Sequence, residues 1–266
     1  MRYIYDNDLH IHSKISECSL DEMQTNERIL QYAKENNLKT ICLTDHFWDE
    51  KVEGASDWYK IQDYERISKA LPLPQADGIK FLFGCETDLD KNMKLGIAKE
   101  SFDLFDFIII PTTHMHMTGF TISDEDSKSI EKKAELWVER FECVLNMDLP
   151  FHKIGIAHLA CHLMEKSSRE NFIKLLDTIK TEDMERLFKK AAELGCGIEI
   201  NKSDMSFSDS EADSVLRMFR IAKKCGCKFY LGSDAHHPKN LDNAKEIFER
   251  AIDLLNLTED DKFNLV

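Results

Sequence analysis

Long hydrophobic runs are missing from this sequence. Among its 266 residues, no segment approaches the roughly 18 consecutive apolar residues that a membrane span requires. The first residues, M-R-Y-I-Y-D-N-D, also lack the apolar core of a secretory signal peptide. We therefore expect a protein that has no membrane partner and that resides in the cytoplasm.

Basic residues are scarce as well. The 35 Lys and Arg residues are outnumbered by 49 Asp and Glu residues, which gives a formal net charge of -14. Phosphate backbones are bound by clustered Lys and Arg, so this balance disfavours long nucleic acids as partners. A small phosphorylated substrate remains compatible with it, because bound metal cations can supply local positive charge. The oligomeric state stays open.

The cysteines do not form a recognisable framework. None of the 8 cysteines stands in a C-x-x-C motif, and the closest pair is Cys225 and Cys227. Cytoplasmic thiols are kept reduced, so we interpret this pair as small apolar residues at the start of a strand rather than as zinc ligands. Linkers rich in Pro, Gly or Ser and internal repeats are also missing, which predicts a single domain over residues 1–266.

Strand-like and helix-like patterns alternate along the whole chain. Short, almost continuous apolar runs predict strands at residues 3–9, 40–44, 80–85, 107–111, 154–157, 197–200 and 228–232. Amphipathic spacing predicts helices at residues 26–35, 129–145, 183–194, 210–224 and 242–254. Roughly seven β-α units fit this pattern, which predicts an α/β barrel one unit short of the usual eight. The segments 47–77 and 115–126 are expected to form loops over the barrel mouth.

Residues of metal-ligand type follow the predicted strands. The C-terminal strand ends of such a barrel meet at one rim, where active sites lie. Each ligand-type residue alone is also consistent with an ordinary strand-end or loop residue, but the whole series in step with the strands predicts a metal site for hydrolysis. The series comprises His10, His12, His46, Glu86, His114, His158, Asp234 and His236.

Individual motifs refine this series. His10 and His12 are two residues apart in D-L-H-I-H, so both are expected on one face of a strand, together with Asp8. His158 and His162 have the spacing of the zinc-peptidase motif H-E-x-x-H, but Leu159 occupies the position of its catalytic Glu. We therefore predict His158, which follows a strand, as the ligand.

The motifs D-L-H-I-H-S, L-T-D-H, G-C-E, I-A-H and G-S-D-A-H together resemble the PHP family, the polymerase and histidinol phosphatase superfamily. The match runs in order over nearly the whole chain, and G-I-E-I-N with Y-L-G-S-D-A-H-H-P looks most like the histidinol-phosphatase branch. This resemblance implies a distorted (β/α)7 TIM-like barrel with a trinuclear centre of zinc, manganese or iron.

Carried over by the same resemblance, a first metal would be held by His10, His12, Glu86 and Asp234, and a second by Glu86, His114 and His158. His46 and His236 would hold a third metal with one group from the first loop. Many members of the family have a His eight residues after the first motif His, where this chain has Cys18. The adjacent Glu17 is the alternative, and Cys18 would favour zinc. The expected centre therefore contains two to three metals. Among its ligands, Glu86, Asp234 and His236 are expected to have catalytic roles.

The resemblance also suggests a substrate, and the sequence departs from it at one point. Family members of the histidinol-phosphatase branch carry an Arg after E-I-N, whereas Lys202 is the cation in N-K-S-D-M-S. We expect Lys202, His116 and Arg169 to contact the substrate, with Arg217 and Arg220 as other possible cations. The predicted activity is hydrolysis of a small phosphomonoester, with L-histidinol phosphate as the preferred substrate. Nucleotide phosphodiesterase or exonuclease activity, or metal binding without catalysis, are the alternatives.

Overall fold

Seven parallel strands form the centre of the molecule in a computed structural model that describes residues 1–19 and 21–265. They follow one another around a nearly closed barrel in chain order. The strands are β1 (Asn7–Ile11), β2 (Thr40–Leu43), β3 (Lys80–Glu86), β4 (Phe107–Pro111), β5 (Ile154–Ala157), β6 (Gly197–Asn201) and β7 (Lys228–Gly232). The predicted (β/α)7 barrel is confirmed.

Helices cover the outside of this barrel. They are α1 (Asn26–Glu35), α2 (Tyr64–Ile67), α3 (Ile130–Asn146), α4 (Arg169–Thr178), α5 (Thr181–Leu194), α6 (Ala212–Lys224) and α7 (Ala244–Leu255). Several begin at a residue whose hydroxyl accepts a first-turn N–H, as Ser129 does from Lys132. Among the described residues, no helix has both the length and the apolar character to cross a membrane.

The barrel closes between its first and last strands without a regular ladder. Asp234 donates its backbone N–H to the carbonyl of His10 at 2.7 Å, and His12 donates to the carbonyl of Ala235 at 3.1 Å. The side chain of Asn7 adds a contact to the N–H of Leu231 at 3.1 Å. This closure joins the residues after β1 directly to the residues after β7.

Differences from the sequence prediction include the start of the first strand, the short helix α2 inside the expected loop 47–77, and the connection after β5. The first strand begins at Asn7 rather than residue 3, because Tyr3 pairs with the C-terminal segment through the carbonyl of Leu257. The helix α4 was not predicted. Its hydrophobic residues Phe172, Leu175 and Leu176 are buried, but its polar first turn obscures the periodicity.

The barrel interior holds a small apolar cluster that lies apart from the larger core under the helices. Gly155 makes room for it, because a Cβ atom there would lie 2.5 Å from Phe107 and 2.6 Å from the hydroxyl of Tyr230. Phe263 from the C-terminal segment joins the same cluster. This packing leaves the polar functional groups at the opposite, C-terminal ends of the strands.

Candidate metal centre

The ligand-type residues predicted from the sequence converge at the C-terminal rim of the barrel. A register shift between Asp8 and Ile11 of β1 turns His10 and His12 toward the rim. Asp8 was expected on the same face as His10 and His12, but its contacts differ from theirs. Its carboxylate accepts from the hydroxyl of Tyr32 of α1 at 2.9 Å and from the N–H of Ser233 at 2.9 Å. The bulge explains the difference, since an extra residue reverses the alternation of a strand.

Four donor atoms of the rim form one compact group. Nε2 of His12 lies 3.1 Å from Nε2 of His10, 3.2 Å from Asp234 Oδ1 and 3.2 Å from Glu86 Oε2. Nε2 of His10 lies 3.4 Å from the same Asp234 oxygen and 3.5 Å from the same Glu86 oxygen. Donors arranged tetrahedrally around zinc would be about 3.3 Å apart. The spacing and chemistry of this group therefore fit a divalent transition metal.

The other oxygen of Glu86 faces a second group. Glu86 Oε1 lies 3.1 Å from Nε2 of His158 and 4.0 Å from Nε2 of His114. Glu86, His114 and His158 are all buried and can together hold a metal ion. One carboxylate thus stands between two donor groups, and within residues 1–19 and 21–265 the second group has fewer protein donors than the first.

A third group contains Cys18 with His12, His46 and His236. Of the two residues considered for the first loop, only Cys18 reaches this group. Glu17 is directed away and pairs with Arg66 at 2.6 Å. The structure therefore brings Cys18, and not Glu17, to the rim.

Hydrogen bonds hold the imidazole rings so that Nε2 faces the rim. Nδ1 of His10 donates to Glu199 at 2.7 Å, and Nδ1 of His114 donates to Asp88 at 2.9 Å. Nδ1 of His158 lies 2.9 Å from the hydroxyl of Thr113, which in turn donates to the carbonyl of His158. Such partners fix the tautomer and orientation of a metal-binding ring.

These orienting residues were not predicted from the sequence. Glu199 carries a signal that could have been noticed, because it is a carboxylate in the middle of the apolar strand G-I-E-I-N and burial of such a group requires a partner. Asp45, the neighbour of His46 in the chain, accepts hydrogen bonds from the backbone N–H and the hydroxyl of Ser13 at 2.7 Å each. Asp45 thereby holds the loop after β1.

The charges of the buried groups compensate for one another. Burial opposes ionisation of Glu86, but neighbouring His46 and His10 hold the pKa of its carboxyl well below the usual range. Burial likewise opposes protonation of His12, yet hydrogen bonds to Asp234 and Glu86 raise its pKa to about 9. Without a metal, protonated imidazoles thus neutralise the carboxylates, and a bound cation would replace those protons.

A cavity of about 540 Å³ opens above the donor groups. Glu86, His114, His236 and Cys18 lie at its base, and both predicted loops contribute to its walls. The first loop contributes Trp58 and Tyr59, and the second contributes His116, Met117, Thr118 and Phe120. Among the described residues, neither Lys nor Arg lines this cavity.

The three expected substrate contacts differ in position. His116 lines the cavity above the donor groups. Lys202 borders an adjoining cavity that shares Asp234 and His236, and its ammonium group donates to the carbonyl of Asn240. Arg169 is not brought to either cavity: it forms an exposed pair with Glu211 at 2.7 Å and lies over the ring of Phe172. Because α4 directs Arg169 to the surface, the structure does not bring it to the donor groups, and its contact with a substrate stays a prediction.

Comparison with known proteins agrees with this geometry. The sequence matches the PHP domain family over residues 8–203, and the chain belongs to this family. One relative, a probable phosphatase of Caldicellulosiruptor bescii, is 22% identical over 217 residues, covering 81% of this chain and 74% of the relative. Another, a probable phosphatase of Thermoanaerobacter sp. strain X514, is 28% identical over 234 residues, covering 86% and 78%.

Solved structures share the fold. A histidinol phosphate phosphatase of Lactococcus lactis, crystallised with zinc, L-histidinol and phosphate, aligns with a TM-score of 0.58 at 18% identity and covers 92% of this chain and 93% of that chain. A candidate histidinol phosphatase of Listeria monocytogenes aligns with a TM-score of 0.64 at 13% identity, covering 91% and 99%. Family membership and donor set together identify the chain as a metal-dependent phosphatase of the PHP family.

Proposed function

We propose that this protein hydrolyses a small phosphomonoester at a centre of two to three divalent transition metals, with L-histidinol phosphate as its substrate. The observation that carries the proposal is the position of Glu86. Its two oxygens face two separate groups of imidazole nitrogens, at 3.2 Å from His12 and 3.1 Å from His158. A carboxylate in this position suits a bridge between two cations, and paired cations suit phosphoester hydrolysis.

The proposed ligand sets follow the three donor groups. His10, His12, Asp234 and one oxygen of Glu86 hold the first metal, and His114, His158 and the other Glu86 oxygen hold the second. His46, His236 and Cys18 hold the third. Imidazole and carboxylate donors suit zinc, manganese or iron, and the thiol of Cys18 favours zinc in the third position.

The chemistry that metals would supply when held by these residues is a hydroxide near neutral pH and neutralisation of the charge that develops on the phosphoryl group. The protein contributes the orientation of the donors through Glu86, Asp234 and His236 at the base of the cavity. His116 and Lys202 are proposed to bind the phosphate oxygens from opposite sides of the centre. Lys202 acts there as a point charge rather than as the bidentate fork that an Arg would offer.

The residues of the cavity wall suit a phosphomonoester whose leaving group is planar and carries no negative charge. Trp58, Tyr59 and Phe120 provide aromatic surface, and the described lining residues include no Lys or Arg that would attract a second anionic group. Aromatic faces attract both planar rings and cations. The imidazole and ammonium groups of L-histidinol phosphate meet both requirements, and L-histidinol and phosphate accompany zinc in the Lactococcus structure with the same fold.

The test is a substrate panel with metal-loaded protein. L-Histidinol phosphate, p-nitrophenyl phosphate, bis-p-nitrophenyl phosphate and a dinucleotide are incubated with the protein after loading with zinc, manganese or iron. Hydrolysis of both monoesters, with L-histidinol phosphate preferred, is the expected result. Preference for the diester or the dinucleotide would show that the protein is a phosphodiesterase rather than a phosphomonoesterase. Hydrolysis of none of the four compounds would contradict the proposed phosphoesterase activity.

A pair of histidine variants provides the matched control. His158→Gln removes a proposed metal ligand and should abolish turnover. His152→Gln makes the same chemical change six positions earlier on the exposed surface and should leave turnover unchanged. Equal activities of the two variants would show that the phosphatase activity arises elsewhere.

A further inference from the structure

We propose that Glu199 is a positioning residue shared by the first two metal sites, so that the metal affinity of both sites depends on one carboxylate. The inference rests on the proposed metal centre. Glu199 lies in β6 and is fully buried. Its Oε1 accepts from Nδ1 of His10 at 2.7 Å, and its Oε2 accepts from the backbone N–H of His158 at 2.6 Å.

The two hydrogen bonds lead to different donor groups. Nε2 of His10 belongs to the group formed with His12 and Asp234, whereas Nε2 of His158 faces the other oxygen of Glu86. Glu86 therefore connects the two groups through the Nε2 atoms that face the cavity, whereas Glu199 connects the same groups through the ring of His10 and the backbone of His158. Displacing Glu199 should disturb both groups together.

The backbone of His158 shows why this contact is needed. His158 has a φ of 29°, in the left-handed region that non-glycine residues rarely adopt. Such a conformation is strained and persists only where surrounding contacts enforce it. The hydrogen bond from the N–H of His158 to Glu199 is one such contact, and it helps to set the position of the His158 imidazole.

The neighbouring strand leaves space for the carboxylate. A Cβ atom on Gly232 of β7 would lie 1.9 Å from Glu199 Oε1 and 2.7 Å from Cβ of His10. Any larger residue at position 232 would thus displace the acceptor of the His10 ring. The missing side chain at Gly232 therefore leaves the space that the Glu199 carboxylate occupies.

A glutamine cannot replace this carboxylate. Both donors, the His10 ring N–H and the His158 backbone N–H, need an acceptor, and a Gln side chain offers one acceptor oxygen and a donor NH2 group. An anionic partner also makes a ligating imidazole more basic, which strengthens its bond to the metal. Glu199→Gln removes the charge and leaves one of the two donors without an acceptor.

The experiment measures metal affinity rather than turnover. Metal-free wild type and Glu199→Gln are titrated with Zn²⁺ in competition with a chromophoric chelator, and with Co²⁺ to record the visible absorption of each bound ion. Loss of such a partner typically lowers metal affinity 10–100-fold. We expect a loss of about that size at both of the two tightest sites, with altered Co²⁺ spectra for both.

Asp204→Ala provides the matched control. Asp204 is buried and accepts from the N–H of Ala160 at 3.0 Å, two residues after His158, whereas the Nδ1 of His10 is bonded to Glu199. This variant should weaken the second site alone. If Glu199→Gln weakens only one site, or if Asp204→Ala produces the same loss at both, the shared role of Glu199 is refuted.

Folding is checked by circular dichroism of the metal-free proteins. Glu199→Asp keeps the charge but shortens the side chain, so it tests the same prediction if Glu199→Gln does not fold, and smaller losses at both sites are expected. A wild-type protein that binds no metal would refute the proposed function itself. Wild-type binding with unchanged affinities in the Glu199 variants would refute only the coupling.

Discussion

The Nε2 atoms of His10 and His12 lie 3.1 Å apart in a fully buried environment. Two imidazole lone pairs at this distance repel each other unless a proton or a cation lies with them. Burial opposes protonation of both rings, but Glu199, Asp234 and Glu86 raise the pKa of His10, and Asp234 and Glu86 raise the pKa of His12. Protons therefore occupy this position when metal does not. Metal and proton therefore compete for the same atoms.

This competition predicts proton release on metal binding. His12, with a pKa of about 9 in the metal-free protein, is protonated at neutral pH and must lose its proton to bind zinc. Zinc titration at about pH 7.5 in weak buffer should release at least about one proton per chain, and apparent zinc affinity should fall as pH is lowered from 9. Elemental analysis should find two to three metals per chain. Zinc uptake without a pH change would contradict the assignment.

Glu86→Gln should lower phosphoester hydrolysis by about 100-fold or more, because the change weakens two metal sites at once. The fold should persist, since Gln has nearly the same shape. Glu139→Gln, on the exposed face of α3, is the control and should retain full activity. Steady-state kinetics and metal content are measured for both proteins. Near-normal turnover of a folded Glu86→Gln variant would refute the bridging role.

Cys18→Ser should reduce the metal content by about one ion per chain, whereas Cys18→His should preserve it and shift preference toward harder metals. Burial raises the pKa of the Cys18 thiol, so the thiolate forms only when a cation is bound beside it. The zinc affinity of this position should therefore fall as the pH is lowered. Glu17→Gln is the control, because Glu17 pairs with Arg66 and should not affect metal content. Unchanged metal content in Cys18→Ser would leave Cys18 without a ligand role.

Lys202→Gln should raise the KM for a phosphomonoester by about tenfold, which corresponds to about 1.4 kcal/mol of lost binding. The residue borders the cavity that shares Asp234 and His236. Arg169→Gln removes the same charge at the exposed pair with Glu211 and should leave KM unchanged. An unchanged KM in Lys202→Gln would indicate that the metals alone hold the phosphate.

Several features could be predicted because their signals are local. Runs such as F-I-I-I-P are short, apolar and followed by a potential ligand, and β4 has the predicted bounds at Phe107–Pro111. The helix α1 likewise has its predicted bounds, since its apolar spacing and its cap at Thr25 lie within one short segment. The helix α4 escaped prediction because its polar first turn obscures the helical spacing of Phe172, Leu175 and Leu176.

The sequence by itself determined the barrel class and the set of residues available as ligands, since strand periodicity and strand-end position are properties of neighbouring residues. Tertiary structure alone decided how those residues are used. Glu199 and His10 are 189 positions apart, and no local pattern joins them. Arg140 of α3 is a similar case, because it is buried and donates to the carbonyls of Leu89 and Thr112. The choice between Cys18 and Glu17 also depended on Arg66, an ion-pair partner that only the folded chain brings near.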